Sequence, residues 1–209
     1  MQKNTEEICA VIMTGGKSSR MGGGIKSFKK FNKKMIFDRI YTILNNQIKN
    51  IIINTNIKEK YFKKYNRVII KDKIKGYLGP LAGIHDSLYW INKNMPKVNW
   101  LISIPGDTPF IPKDLIVKLY SKAKINKKQI ILAKSNNRIH PIIGIWNINL
   151  LESLENNLLN GERKIIFWAK KHKLDFEEFF EENYDPFFNI NYEEDLIRAK
   201  KIEEKFITK

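Results

Sequence analysis

Cysteine is nearly absent from this chain of 209 residues. Cys9 is the single one, which excludes an intramolecular disulfide framework and any zinc site built on several thiolates. Cys9 also falls inside an apolar run, so it reads as a buried structural thiol rather than a nucleophile. Histidine is scarce too: His85, His140 and His172 are the only three, and their spacing suggests neither a zinc helix nor a Ser-His-Asp triad. No G-x-S-x-G nucleophile elbow occurs. No uncharged apolar stretch approaches the roughly 18 residues of a membrane span. The segment Met1–Glu7 lacks the basic-then-apolar order of a signal peptide. With no Gly/Ser or Pro linker and no repeat, residues 1–209 read as one domain of a soluble, cytoplasmic protein.

Acidic residues are in deficit. Lys and Arg number 38 against 22 Asp and Glu, a formal charge of +16. The lysines run from Lys3 to Lys209 among many Ile and Asn, a mixture that A/T-rich codons encode. Compositional drift, a groove for a multiply phosphorylated ligand, and nucleic-acid binding are the three readings of that charge. Core material is ample: 43% of residues are hydrophobic, with 12 Phe, 8 Tyr and 4 Trp, which excludes disorder.

Short apolar runs alternate with helical spacing. Ile8–Met13, Ile51–Ile53, Val68–Ile70, Trp100–Ile104, Ile130–Ala133 and Ile142–Trp146 read as strands. Helices are expected near 35–44, 81–91, 150–159, 163–171 and 193–206, with a short helical piece at Tyr61 and Phe62. Another helix carries Leu115, Ile116, Leu119 and Tyr120 as its buried stripe, with Pro112 in its first turn. Residues 187–191 read as extended, and the acidic patch Glu177–Glu182 as a solvated loop or helix edge. This alternation predicts an α/β fold with a mostly parallel sheet covered on both faces.

In such sheets ligands sit outside the carboxyl ends of the strands. The exit of the first strand, residues 15–26, holds five of the 11 glycines together with Lys17, Arg20 and Lys26. Glycines let backbone N–H groups converge on an anion, and the cations neutralise phosphate oxygens. The segment fails the P-loop pattern, because Ile25 precedes Lys26-Ser27, and fails G-x-G-x-x-G, because Ser27 stands where the third glycine belongs. A second exit delivers Asp107, between Pro105 and Pro109, as a candidate ligand for a hard divalent cation. Asp72, after the third strand, is a weaker candidate. Gly76–Gly83 brackets a helix start suited to an anion or a base, or else is a tight turn. His140-Pro141 and Asn189-Ile190-Asn191 are polar islands against apolar strands.

Taken in order, Met13-Thr14-Gly15-Gly16-Lys17-Ser18-Ser19-Arg20-Met21-Gly22, Gly79-Pro80-Leu81-Ala82-Gly83, residues 105–112, His140-Pro141 and Asn189-Ile190-Asn191 resemble the molybdenum cofactor guanylyltransferases of the nucleotidyltransferase superfamily. The resemblance implies a Rossmann-like three-layer α/β/α sandwich with GTP as donor and molybdopterin as acceptor. By position, GTP contacts would fall on Met13, Thr14, Gly15, Gly16, Lys26, Asn54, Asp72, Gly79 and Asp107. Asp107 would also hold Mg²⁺, and Arg20, Lys26 and Asp107 would act in catalysis. Pterin contacts would fall near Gly79–Gly83, His140 and Asn189–Asn191. Two positions depart from the family pattern: Met13-Thr14 replaces Leu-Ala before the glycine pair, and Ile25 replaces the usual Asp before the loop lysine.

The implied reaction transfers GMP to the terminal phosphate of molybdopterin and releases pyrophosphate. Transient contact with other molybdenum-cofactor proteins is part of that picture; nucleic acid and membrane are not. A cytidylyl- or sugar-phosphate nucleotidylyltransferase, a basic nucleic-acid-binding protein and a catalytically silent nucleotide sensor remain as alternatives.

Overall fold

The computed structural model describes residues 6–14, 25–72 and 79–207. Each turn of the chain into or out of the central sheet follows from a local feature. β1 (Ile8–Met13) is apolar on both faces, as a strand covered on both sides must be. Ile8, Ala10 and Ile12 point into one core and Cys9 and Val11 into the other. A two-residue hairpin, β2 (Lys30–Phe31) and β3 (Lys34–Met35), turns through Asn32 and Lys33, both with positive φ. It leads into α1 (Ile36–Asn45), whose Ile36, Phe37, Ile40 and Leu44 are buried. β4 (Ile51–Asn54) and β5 (Val68–Ile70) follow, separated by two short 3₁₀ turns at Glu59–Tyr61 and Lys63–Tyr65 where a helical piece was expected. α2 (Pro80–Asn94) carries proline where a first turn tolerates it. The chain then enters β6 (Trp100–Pro105) and α3 (Leu115–Ile125), followed by β7 (Ile130–Ser135) and β8 (Arg138–Asn147). α4 (Leu151–Leu159), α5 (Ile165–Ala169), β9 (Leu174–Glu178) and α6 (Glu193–Ile202) complete the order.

The seven long strands form one sheet in the order β5-β4-β1-β6-β8-β7-β9, and only β8 runs against its neighbours. One core lies between this sheet and α1, α3 and α6, the other between it and α2, α4 and α5. That is the three-layer, mostly parallel α/β arrangement expected. From β1 the chain moves through α1 to β4 on one side, and α2 then brings it back to β6 on the other. The strand order therefore reverses between β1 and β6, and an open sheet leaves a crevice at that point.

Four local expectations are corrected. Pro112 precedes the helix that begins at Leu115 rather than sitting in its first turn. β8 starts at Arg138, ahead of Pro141, because the pairing with β7 is irregular there: Leu132 faces Gly144 while Ala133 faces His140. Residues 141–143 are thereby spared β7 partners, which is where a strand accommodates a missing N–H. Residues 187–191 form a turn and an irregular segment, not a strand. Glu177 and Glu178 end β9, a parallel edge strand on β7, and Phe179 beyond them is buried.

Candidate active site

The carboxyl ends of β4, β1 and β6 lie side by side, since Met13 is in register with both Asn54 and Pro105. The Gly106 N–H donates to the Met13 carbonyl (2.8 Å), stitching the two exits together. A methyl group at Gly106 would lie 2.6 Å from Thr14 Cγ2 and 3.0 Å from Ser27 Oγ. Glycine is thus what allows the Asp107 turn to press against the β1 exit.

On the β6 side, Lys26 occupies a short 3₁₀ turn, Lys26–Phe28, that returns the chain to the sheet edge. Its Nζ donates to Asp107 Oδ2 (2.6 Å), Asn191 Oδ1 (2.6 Å) and Asn189 Oδ1 (3.3 Å). The Lys26 and Asp107 side chains are each about one-fifth exposed, so the pair is reachable from solvent but only partly screened. The Ile190 N–H donates to the Asp107 carbonyl (3.0 Å), which fixes the Asn189–Asn191 segment beside the turn. Asp195 caps α6 and accepts from the Asn191 and Tyr192 N–H groups.

On the β4 side, Asn54 is buried and its Nδ2 donates to Asp72 Oδ1 (3.0 Å) and the Ile70 carbonyl (3.4 Å). Asn56 Nδ2 donates to Asp72 Oδ2 (2.8 Å), and the Asp72 N–H donates to Asn56 Oδ1 (3.2 Å). The Thr14 N–H donates to the Asn54 carbonyl (2.9 Å), and the Thr55 hydroxyl donates to the Thr14 carbonyl (3.0 Å). Gly83, one turn after Gly79 at the start of α2, packs against Asn54 and Met13. The result is a wall of Met13, Asn54, Asp72 and Gly83 on one side of β1 and a Lys26–Asp107 cluster on the other.

The expected site residues Met13, Thr14, Lys26, Asn54, Asp72, Gly79 and Asp107 thus all lie along one sheet edge. Gly15, Gly16, Lys17 and Arg20 lie outside the described residues. Asn56 was missed, although it follows β4 within the same Asn54-Thr55-Asn56 run. Asn189 and Asn191, expected near the pterin, both accept from Lys26. Asp114, at the N-cap of α3, makes no side-chain capping bond and pairs with Lys118. The three histidines stand apart, with Asp86 beside His85, Ser135 beside His140 and Ser153 beside His172.

Among the described residues no three His, Cys, Asp or Glu side chains gather in a way that holds a metal ion. Asp107 offers a single carboxylate whose Oδ2 faces Lys26, while Oδ1, among the described residues, accepts a long bond from Thr108 (3.5 Å). That donor set suits a hard cation whose remaining ligands are substrate phosphates and water.

A lysine, a carboxylate and a polar wall spread along the switch point of a mostly parallel sheet define a nucleotide-binding α/β protein. Residues 10–174 match the family described as the MobA-like NTP transferase domain, and the chain belongs to that family. It is 35% identical over 193 residues to the molybdenum cofactor guanylyltransferase of Nitrobacter hamburgensis, covering 92% of each chain. The enzyme of that name from Brucella ovis is 34% identical over 211 residues, covering 95% of this chain and 93% of its own. The fold is shared with molybdopterin-guanine dinucleotide biosynthesis protein A from Archaeoglobus fulgidus, with TM-score 0.78 and 23% identity over 95% of this chain and all of that one. It is shared as well with 4-diphosphocytidyl-2C-methyl-D-erythritol synthase from Anaerococcus prevotii, with TM-score 0.70 and 13% identity over 95% and 96%.

Proposed function

We propose that this protein is a molybdenum cofactor guanylyltransferase. It moves GMP from GTP to the terminal phosphate of molybdopterin, giving the guanine dinucleotide and pyrophosphate, within a single domain of residues 1–209. The convergence of Lys26 and Asp107 at the β1/β6 crevice supports nucleotidyl transfer. The choice of guanine and of a pterin acceptor rests on relatives of that name at 30–35% identity.

In the reaction an acceptor phosphate oxygen forms a bond to the α-phosphorus of GTP. The bond from that phosphorus to the α,β-bridging oxygen breaks, and pyrophosphate leaves with the electron pair. An acceptor phosphate is already anionic at neutral pH, so no general base is needed and the protein's task is alignment and charge neutralisation. The wall of Met13, Asn54, Asp72 and Gly83 takes the base. The Thr14 region, with Gly15, Gly16 and Arg20, takes the phosphates. Lys26 neutralises the departing oxygens. A divalent metal, Mg²⁺ by preference, would be held on Asp107 and would withdraw charge from the phosphate oxygens when bound.

The closest competing reading is cytidylyl transfer, because a cytidylyl enzyme shares the fold. Incubating the protein with Mg²⁺, molybdopterin and each nucleoside triphosphate in turn, while following pyrophosphate, separates the two. Release with GTP alone supports the proposal; release with CTP and not GTP overturns it. Among the described residues no helix is long and apolar enough to cross a membrane, and the proposed reaction takes place in the cytoplasm without nucleic acid.

A further inference from the structure

Ser135, His140 and Asp185 meet at the far end of the same sheet edge, outside the nucleotide crevice. Ser135 ends β7 and His140 lies in β8, on either side of a two-residue turn through Asn136 and Asn137, both with positive φ. Ser135 Oγ lies 2.7 Å from His140 Nε2 and 2.7 Å from Asp185 Oδ1. The residue types invite a hydrolytic reading, but the order is wrong. In a nucleophilic triad the carboxylate sits on the far nitrogen of the imidazole, whereas here it sits on the hydroxyl. The single Ser135 proton goes to the carboxylate, so His140 must donate Nε2–H to the serine and is no base toward it. Ser135 is also only 1% exposed.

What the cluster holds is a turn. Asp185 Oδ1 also accepts from the Phe187 N–H (2.9 Å), and the Asp185 carbonyl accepts from the Phe188 N–H (3.0 Å), with Pro186 fixing the bend between them. The Phe187 ring packs on His140 with centroids 4.8 Å apart. Two residues later the chain delivers Asn189 and Asn191 to Lys26. The Asn-bearing segment is therefore tied to β7 at Asp185, to β8 by the packing of Phe187 on His140, to the turn after β6 through Ile190, and to α6 through Asp195.

We propose that Asp185, acting with Ser135 and His140, is a positioning residue for Lys26. It sets the path of residues 187–191 so that both amide oxygens meet the ammonium group. It does this as a hydrogen-bond acceptor, not as a charge, and it touches no substrate. An ammonium shared among three acceptors must leave them before its nitrogen can attack an acylating reagent, so the reactivity of Lys26 reports the cradle without any nucleotide.

The test is acetylation of the full-length folded protein with limiting acetic anhydride, read by mass spectrometry, with exposed Lys93 as internal standard. In Asp185→Ala, Lys26 labels about tenfold faster relative to Lys93, the scale of about 1.4 kcal/mol of lost hydrogen bonding. Asp185→Asn keeps an acceptor oxygen and returns labelling to the wild-type rate. Ser135→Ala, which leaves the Phe187 bond but cuts the tether to β7, raises Lys26 labelling as well and carries the test if Asp185→Ala does not fold. Wild-type labelling in Asp185→Ala or, where that variant does not fold, in Ser135→Ala overturns the inference. Labelling in Asp185→Asn as fast as in Asp185→Ala overturns it too. A second arm rests on the proposed function: GTP affinity by calorimetry falls about tenfold in Asp185→Ala and recovers in Asp185→Asn. If the labelling shifts while the wild-type protein binds no GTP, the positioning role stands and the functional reading alone fails.

Discussion

Replacing Gly83 with alanine tests whether Met13 and Asn54 form a nucleotide wall that depends on a missing side chain. The new Cβ would lie 2.6 Å from Asn54 Oδ1 and 2.6 Å from Met13 Cε. Both contacts are nearly an ångström inside an ordinary separation of about 3.5 Å. Met13 Cε is the end of a flexible chain and moves cheaply. Asn54 does not, because its amide is fixed by Asp72 and the Ile70 carbonyl and its backbone is paired in the sheet. Inserting one methyl into such a contact costs about 1–3 kcal/mol. For a chain of this size that lowers the melting temperature by roughly 2–4 °C per kcal/mol. If Asn54 contacts the base, its displacement also weakens GTP binding by about tenfold or more. Calorimetric titration and thermal melting on one preparation read both effects. A Gly83→Ala protein that melts lower but binds GTP as wild type refutes the wall as a nucleotide contact. One unchanged in both refutes the packing argument itself.

Asp107→Ala is expected to lower turnover about a hundredfold, the scale of one preorganised group near 3 kcal/mol. A partly exposed ion pair contributes little to folding, so denaturant stability should stay within about 1 kcal/mol of wild type; near-normal turnover removes Asp107 from the mechanism. Burial holds His140 below its ordinary value of 6.5, against Asp185 and Glu178, which raise it, and with Arg138, which lowers it further. Burial, with Lys171, does the same to His172. The unfolded chain therefore binds protons more readily than the folded one, so this stability is complete above about pH 6.5 and is lost as pH falls from there. Urea midpoints that do not decline between about pH 7.5 and 5.5 contradict this, and His140→Gln should flatten the decline. The Cys9 thiol is fully buried and its pKa is pushed up to about 12 by burial, so iodoacetamide should label it only after unfolding; rapid labelling of the native protein contradicts that.

Much of the scaffold was legible because strands covered on both faces must be apolar throughout. Ile8–Met13 and Trp100–Ile104 are of that kind, and each ends in glycine or proline. β9 was not legible. Leu174–Glu178 carries Asp175, Glu177 and Glu178, and only Leu174 and Phe176 of its five residues pack on the core, an alternation too short to stand out at a sheet edge held by pairing to β7. The β2–β3 hairpin is two residues per strand, too short for any period to show. At the site, Lys26 stood out as a cation in the glycine-rich exit of the first strand, and Asp107 and Asn191 as polar residues beside apolar runs. That one ammonium would take both Asp107 and Asn191 was not visible, because 81 and 165 residues of chain separate them from Lys26. Only the strand order, which places the β1 and β6 exits side by side, brings the three together.

The central claim is that GTP lies across the β1/β6 crevice. Crystals of the protein grown with Mg²⁺ and a non-hydrolysable GTP analogue test it most directly. The account predicts guanine against Met13, Asn54 and Gly83, and triphosphate oxygens within hydrogen-bonding reach of Lys26. Nucleotide bound at any other face, with Lys26 still held by Asp107 and Asn191, would contradict it.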